Sequence, residues 1–232
     1  MFIKICANTN LHDAQLAAEL GADAVGFVFA ASKRQVTAGH VAAITPHLPG
    51  NVLPVGVFAT TEAQEIIDAL RASGLRAVQL HSAPDAALVE ELNCAFEGHV
   101  QLIQTVAYRV DASDRAAADA EFARELQSAL QMPALFAVLI DAAKGSASGG
   151  LGVAFDWSHA AKLVRHTYDA EAGRDLPKLI IAGGLRAENV GEAIATLRPW
   201  GVDVASGVES SPGRKDPERL RAFLDAARQS AR

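Results

Sequence analysis

Short apolar runs alternate with amphipathic segments along the whole chain. The apolar runs have the length and continuity of strands that are buried on both faces. Alternation of this kind is typical of repeated βα units around a parallel sheet. It predicts eight strands, over residues 2–6, 24–29, 53–58, 77–81, 100–106, 135–141, 179–183 and 202–206.

An amphipathic helix is predicted after each strand, because apolar positions in these segments recur with the spacing of one helix face. Eight βα units close naturally into a single (βα)8 barrel of the α/β class. An open doubly wound sheet is the alternative. The predicted helices cover residues 11–20, 38–45, 62–72, 85–94, 116–130, 155–165, 187–197 and 217–227.

Composition favours one domain. The chain has 232 residues, of which 50% are hydrophobic, and this is enough for one sizeable core. No stretch rich in proline, glycine and serine and no run of charge separates two halves. We therefore expect a single barrel domain over residues 1–232.

Charge and cysteine content argue against several partners. A formal net charge of −6 does not suit a surface for nucleic acid or anionic lipid. No apolar stretch reaches the roughly 18 residues of a membrane span, and the N-terminal sequence lacks the features of a signal peptide. We expect a cytoplasmic monomer. Cys6 and Cys94 have no zinc-type spacing, so neither a disulfide framework nor a structural metal is predicted.

Polar residues at the carboxyl ends of the predicted strands are the candidates for chemistry, because barrel active sites lie at that end. An apolar run ends at Asp141 and opens into a loop rich in glycine and serine, whose backbone can approach a substrate closely. On this stretch alone, a capped strand end with a surface loop is an equal alternative. The other candidates at strand ends are Cys6, His81 and, a few residues beyond the second strand, Arg34.

Two turns follow the seventh and eighth predicted strands. The first contains Gly183 and Gly184, and the second contains Ser206 and Gly207. Loops at these two places in a barrel often bind phosphate through backbone N–H groups. In an acidic chain, an anionic substrate has to be held by local groups of this kind.

Short segments spread over nearly the whole chain together resemble the phosphoribosylanthranilate isomerase family. Each segment alone is a weak signal, but their number and order are specific. The segments are KIC at 4–6, GADAVGFVF at 21–29, SKR at 32–34, VGVF at 55–58, VQLH at 78–81, GGLG at 149–152 with FDW at 155–157, AGGL at 182–185 with ENV at 188–190, and GVDVASGVE at 201–209 with GRKD at 213–216.

This resemblance implies an Amadori rearrangement of phosphoribosylanthranilate in tryptophan biosynthesis, without metal or organic cofactor. By the same resemblance, Asp141 matches the acid that protonates the furanose ring oxygen, and Cys6 matches the base that removes the C2′ proton. Arg34 matches the partner of the anthranilate carboxylate. Two other classes stay open, namely another phosphosugar enzyme on the same barrel and a non-catalytic binding protein. The implied phosphate cradle is formed by Gly183, Gly184, Ser206 and Gly207.

The sequence departs from the family pattern at a few places. Ala7 and Ser82 stand where glycine is usual, and Leu151 and Ala205 replace residues with a hydroxyl group. None of these changes removes a proposed catalytic group. Leu151 removes a hydroxyl group from the loop that is expected to close over the substrate.

The proposed chemistry requires a protonated Asp141 and an ionised Cys6, and groups near these two residues are expected to favour those forms. An ordinary aspartic acid, with a pKa of about 3.9, is almost fully ionised at neutral pH, so the site must raise the pKa of Asp141. Lys4 lies two positions before Cys6 and points to the same side, so we expect it to stabilise the thiolate. His81 either contacts substrate or satisfies loop backbone, and Asp203 is expected to be a structural hydrogen-bonding group.

Overall fold

A computed structural model describes residues 1–144, 147–148 and 156–230. Within these residues, eight parallel strands pair in the order β5-β4-β3-β2-β1-β8-β7-β6, and the pairing of β5 with β6 closes the barrel. The predicted barrel is therefore confirmed, and the open-sheet alternative is wrong. The strands are β1 Phe2–Ile5, β2 Ala24–Val28, β3 Leu53–Phe58, β4 Ala77–Leu80, β5 Gln101–Arg109, β6 Leu135–Lys144, β7 Lys178–Ile181 and β8 Gly201–Val204.

Helices connect successive strands on the outside of the barrel. Four of these helices begin at a residue whose side chain accepts hydrogen bonds from backbone N–H groups of the first turn, and these residues are Asn10, Asp85, Asp114 and Asp156. The helices are α1 Leu11–Glu19, α2 Ala38–Ala42, α3 Ala63–Ser73, α4 Ala86–Ala95, α5 Arg115–Leu130, α6 Trp157–Ala170, α7 Val190–Leu197 and α8 Pro217–Ser230.

Small differences from the predicted bounds concern the carboxyl ends of the strands. β1 and β4 end one residue before Cys6 and His81, whereas β6 continues past Asp141 to Lys144. The second predicted helix is shorter than expected, because Thr45–His47 forms a separate 3-10 turn with proline in its first turn. An antiparallel hairpin of Glu209–Ser211 and Arg214–Lys215, which the sequence pattern did not predict, follows β8.

The barrel interior is apolar at the amino ends of the strands and polar toward their carboxyl ends. Phe2 stacks on Trp200 with ring centroids 4.5 Å apart, and Phe136 meets the same indole edge-on at 5.4 Å. Small and branched apolar side chains fill the next level. Above them lie buried polar groups, which include Lys4 and Asp203. The aromatic cluster closes one end and leaves the carboxyl end for chemistry. Among the described residues, no helix has the length and apolar character needed to cross a membrane.

Candidate active site

Cys6 lies directly after β1 at the carboxyl end of the barrel and is only 6% exposed. Its backbone N–H donates to the carbonyl of Val204 at 2.8 Å, which extends the pairing of β1 with β8. The side chain needs the space left by Gly26 in β2, because a Cβ at that position would lie 2.7 Å from the Cys6 sulfur. The sequence motif contained Gly26, but its function of making room for the thiol depends on the pairing of β1 with β2.

The residue after Cys6 has an unusual backbone conformation. Ala7 has φ 61°, in the left-handed region that L side chains rarely adopt. The usual glycine of the family would avoid this strain, which costs roughly 1–2 kcal/mol for other residues. The buried amide of Asn8 fixes the turn, since its Nδ2 donates to the carbonyl of Ile5 at 2.7 Å. Alanine at position 7 therefore keeps the same turn, and the free-energy cost of the substitution is backbone strain at Ala7.

Lys4 and Asp203 form a buried ion pair beneath Cys6. The Lys4 Nζ donates to Asp203 Oδ1 at 3.0 Å, and Lys4 is fully buried. The two residues face each other across the β1–β8 pairing. Asp203 therefore has the structural role expected from the sequence, and it also supplies a negative charge within the barrel mouth. From the sequence, only Cys6 was predicted as a partner of Lys4.

The thiol of Cys6 has a raised pKa. Burial raises it above its ordinary value of 9.0, the charge of Lys4 opposes this, and the charge of Asp203 adds to it. A further lowering contribution comes from Lys215. The contribution of Lys4 thus has the expected sign, but burial outweighs it, and the pKa of the thiol is raised.

Asp141 lies in β6 with 8% of its surface exposed. Burial, and next the negative charge of Asp203, raise its pKa from 3.8 to about 7. A hydrogen bond from the backbone of Ala142 and the charge of Lys4 act in the opposite direction. The direction is the one a general acid at neutral pH requires.

Asp141→Asn should stabilise the fold above neutral pH. A carboxyl whose pKa is raised in the native state contributes full stability below its unfolded pKa, near 4, and loses that contribution as pH rises through about 7. Asparagine cannot ionise, so the variant should be more stable than the parent at pH 8, by at most about 4 kcal/mol. Urea unfolding at a series of pH values measures this, and the difference should shrink toward pH 4. Equal stability at every pH would mean that the carboxylate is not desolvated as described.

The turns after β7 and β8 meet beside Asp141. They line one small cavity together with Asp141 and Asp203, and a wider cleft shares part of this lining and opens toward α7 and α8. A Cβ on Gly207 would lie 1.9 Å from the carbonyl oxygen of Leu185, so the two turns can pack this closely only with glycine there. The four predicted cradle residues are thus brought together, and they are Gly183, Gly184, Ser206 and Gly207.

The first of these turns has a constrained backbone. Gly183 and Gly184 have φ 88° and 63°, which are accessible to glycine at little cost. The side chain of Asn189 fixes the turn, because its Oδ1 accepts from the N–H of Arg186 at 2.8 Å and its Nδ2 donates to the carbonyl of Gly184 at 3.0 Å. The resemblance included Asn189 without giving it a role, and the two hydrogen bonds now supply one.

Arg34 and His81 lie at the same end of the barrel. Arg34 is not a solvated loop charge, since its guanidinium pairs with Glu209 at 2.7 Å and its side chain is only 18% exposed. Burial and the nearby Lys4 charge lower the pKa of His81, so its imidazole is neutral. The His81 Nε2 is buried and has no hydrogen-bond partner in the described part of the chain. This nitrogen therefore does not satisfy loop backbone there.

Other predicted features have different outcomes. Cys94 is exposed on α4, far in sequence from any strand end. Among residues 1–144, 147–148 and 156–230, no group of three or more potential metal ligands comes together. The glycine-rich loop around Leu151, with its expected closure over the substrate, lies outside the described residues.

Comparisons with known proteins match this chain over nearly its full length. The model of the N-(5′-phosphoribosyl)anthranilate (PRA) isomerase family matches residues 3–226. The N-(5′-phosphoribosyl)anthranilate isomerase of Citrifermentans bemidjiense is 36% identical over 230 residues, which cover 99% of this chain and 98% of that protein. That of Chlorobaculum tepidum is 37% identical over 231 residues, with 99% and 96% covered.

Solved structures give the same result. Phosphoribosylanthranilate isomerase from Thermotoga maritima superimposes with a TM-score of 0.80 at 33% identity, with 99% of both chains covered. A phosphoribosylanthranilate isomerase in complex with reduced 1-(o-carboxyphenylamino)-1-deoxyribulose 5-phosphate has a TM-score of 0.77, also at 33% identity and with 99% of both chains covered. A triosephosphate isomerase from Bartonella henselae, 14% identical with a TM-score of 0.69, shares the fold.

Proposed function

The chain belongs to the N-(5′-phosphoribosyl)anthranilate isomerase family, and on this premise we propose that Asp141 is its general acid and Cys6 its general base in the rearrangement of N-(5′-phosphoribosyl)anthranilate. It is an isomerase of tryptophan biosynthesis. The observation that carries the assignment of Asp141 is its buried carboxyl, with a pKa of about 7, in the cavity lined by the two turns.

Ring opening is the first step. Asp141 gives its proton to the furanose ring oxygen, the bond from that oxygen to C1′ breaks, and the lone pair of the anilino nitrogen forms the C1′=N bond. The product is an open, positively charged Schiff base, and Asp141 is left ionised. Asp203, which helps to keep Asp141 protonated before the step, does not itself donate the proton, because it pairs with Lys4.

Proton abstraction is the second step. The thiolate of Cys6 takes the proton from C2′, and the electrons of that bond form C1′=C2′ and neutralise the Schiff-base nitrogen. The resulting enolamine tautomerises to the ketone at C2′. Cys6 finishes this step as a thiol, and positive charges at Lys4 and Lys215 favour the thiolate it needs at the start.

The carboxyl of Asp141 has a lower pKa than the thiol of Cys6. This order is unfavourable for a mechanism in which Asp141 must start protonated and Cys6 must start ionised. Asp141 loses its proton near pH 7, whereas Cys6 holds its proton to a higher pH than an ordinary thiol. The productive form, with a protonated Asp141 and an ionised Cys6, is therefore a minor species near neutral pH. The phosphate of the substrate in the neighbouring cradle would raise the pKa of Asp141 and so favour the productive form.

Two groups are proposed to position the substrate. Arg34 faces the anthranilate carboxylate, because a planar guanidinium suits that group. We propose that His81 contacts the substrate through its unpartnered Nε2.

A fluorescence assay that follows consumption of phosphoribosylanthranilate tests the activity directly. A protein that bound this compound without consuming it would support the non-catalytic alternative.

We propose that the phosphate binds to backbone N–H groups of the two turns. Inorganic phosphate should then compete with substrate, and Gly184→Val should abolish this competition, since a branched side chain at φ 63° distorts the turn. Ser206→Ala should change the inhibition constant by only about 2- to 3-fold, because the donors are main-chain groups. Inhibition kinetics measure both effects.

A matched control is Gly173→Val, which places valine at another positive φ, 98°, in open surroundings before β7. It should lose some stability but keep the inhibition constant for phosphate. If phosphate still competes with full strength in Gly184→Val, the anion site lies elsewhere.

The proposed working state is a cytoplasmic monomer. One of the similar solved structures describes monomers generated from a dimeric phosphoribosylanthranilate isomerase of Thermotoga maritima, at 33% identity and a TM-score of 0.76. The monomeric state of this chain therefore stays a prediction.

A further inference from the structure

Glu209 lies at the start of the hairpin that follows β8 and is 5% exposed. Its carboxylate accepts from the Arg34 Nε at 2.9 and 3.1 Å and from the Arg34 Nη2 at 2.7 Å. The N–H of Gly213, within the same hairpin, also donates to it at 3.2 Å. Arg34 and Glu209 are 175 residues apart in sequence, so the contact is a product of barrel closure.

The geometry of this pair leaves one edge of the guanidinium available. Glu209 occupies the edge formed by Nε and Nη2, and the hydrogen bonds among the described residues do not use Nη1. Arg34 retains 18% exposure of its side chain, whereas Glu209 retains 4%. A guanidinium has five N–H donors, so a second carboxylate can bind the remaining edge while the first holds the side chain in place.

Lys215 links the same carboxylate to the segment that carries Cys6. Its buried Nζ lies 3.5 Å from Glu209 Oε1 and donates to the carbonyl of Cys6 at 2.5 Å. The hairpin is fastened to the turn after β1 at a second point, where the Thr9 hydroxyl donates to the carbonyl of Gly213 at 2.5 Å. Movement of Glu209 is therefore coupled to the position of the Cys6 backbone.

We propose that Glu209 is a positioning residue that holds Arg34 ready for the carboxylate of the aromatic amine and, with Lys215, fixes that guanidinium relative to Cys6. The proposal rests on the proposed function of Arg34 and goes beyond it by assigning the residue that orients it. A long arginine side chain otherwise loses its rotamer freedom when the ligand binds. Glu209 removes that cost in advance, although its negative charge lowers the long-range attraction of Arg34 for anions.

Selective loss of affinity for a carboxylated ligand tests this role. One probe is reduced 1-(o-carboxyphenylamino)-1-deoxyribulose 5-phosphate, and the other is the same compound without the carboxyl group. In Glu209→Gln, calorimetry should show about 10-fold weaker binding of the carboxylated probe and unchanged binding of the other, because one amide oxygen cannot replace a bidentate carboxylate. Glu65→Gln, which removes a negative charge from the exposed face of α3, is the matched control and should leave both affinities unchanged.

A double variant that combines Glu209→Gln with Arg34→Met distinguishes a positioning role through Arg34 from a general structural role of Glu209. Because Glu209 acts through Arg34, Glu209→Gln should have no further effect on the carboxylated probe in the Arg34→Met background. A second variant, Glu209→Asp, keeps the charge that balances Lys215 but shortens the reach to Arg34. Glu209→Asp should fold even if Glu209→Gln does not. It should weaken binding of the carboxylated probe and leave binding of the other probe unchanged.

Each other outcome overturns the proposal. Tighter binding of the carboxylated probe to the variants would mean that Glu209 competes with the ligand for Arg34. Equal weakening of both probes would indicate a general structural role, and unchanged affinities would indicate no role. If the unmodified protein binds neither probe, the proposed function fails in that measurement, before any variant is compared, and the proposal fails with it.

Discussion

Asp141→Asn is expected to lower kcat by at least about 10²-fold, the lower end of the range for general acid catalysis. Asparagine keeps the size of the side chain and cannot donate the proton that the ring oxygen needs in the proposed mechanism. The fall should appear in kcat and in kcat/KM alike, because the lost interaction forms only as the ring opens. Steady-state fluorescence kinetics with phosphoribosylanthranilate measure it.

The control for this variant is binding of reduced 1-(o-carboxyphenylamino)-1-deoxyribulose 5-phosphate, the reduced analogue of the expected product, which needs no proton transfer. Its affinity should change little, since the two turns and Arg34 are untouched. Near-normal turnover in Asp141→Asn would assign the acid to another group. Loss of analogue binding together with turnover would instead indicate that the cavity beside Gly183 and Gly184 had changed shape.

The same burial explains both effects expected at Asp141. A carboxyl with a pKa of about 7 is poised to donate a proton at neutral pH, and the same position makes its ionised form costly to the fold. Activity and stability should therefore move in opposite directions in Asp141→Asn. A purely structural aspartate would lose stability when its charge is removed.

The barrel, and the end of it at which the polar candidates gather, were predictable because they depend on local patterns. Apolar runs of strand length and amphipathic helices repeat eight times, and closure then places Cys6, His81 and Asp141 at one end. The roles of these residues came from the resemblance to a family and stay proposals. The position of Asp141 beside the two turns follows from the pairing of β6 with β7 and of β7 with β8.

The partners of the charged residues were not predictable from local patterns. Lys4 was correctly placed on the side of Cys6, yet its ion pair is with Asp203, 199 residues away. Glu209 and Lys215 lie in a hairpin of two- and three-residue strands, too short for a periodic signal. Which of these charged residues pair with one another depends on distances across the assembled barrel, and a local stretch of sequence does not contain that information.

Ala7 shows a different kind of limit. The departure from glycine was visible in the sequence, but its consequence depends on the backbone angle, and φ 61° identifies it as strain in the turn beside Cys6.

Cys6→Ser is expected to lower kcat by at least about 10²-fold while the fold is retained. The hydroxyl fits the space above Gly26, since oxygen is smaller than sulfur and a Cβ at Gly26 would lie 2.7 Å from the present sulfur. A hydroxyl is far harder to ionise than a thiol, and burial raises this difficulty further, as it already raises the pKa of Cys6. The positive charges of Lys4 and Lys215 cannot compensate, because they only partly offset burial even for the thiol.

The chain supplies its own matched control for this substitution. Cys94 is the second of its two cysteines and is exposed on α4, so Cys94→Ser should leave kcat and KM unchanged. In that background Cys6 is the single thiol, and its thiolate absorbance can be titrated against the pH dependence of kcat/KM. Substrate turnover by Cys6→Ser at a rate near that of Cys94→Ser would exclude Cys6 as the base. A rate lowered by at least about 10²-fold, with normal affinity for the reduced product analogue, would place its role in the proton-transfer step at C2′.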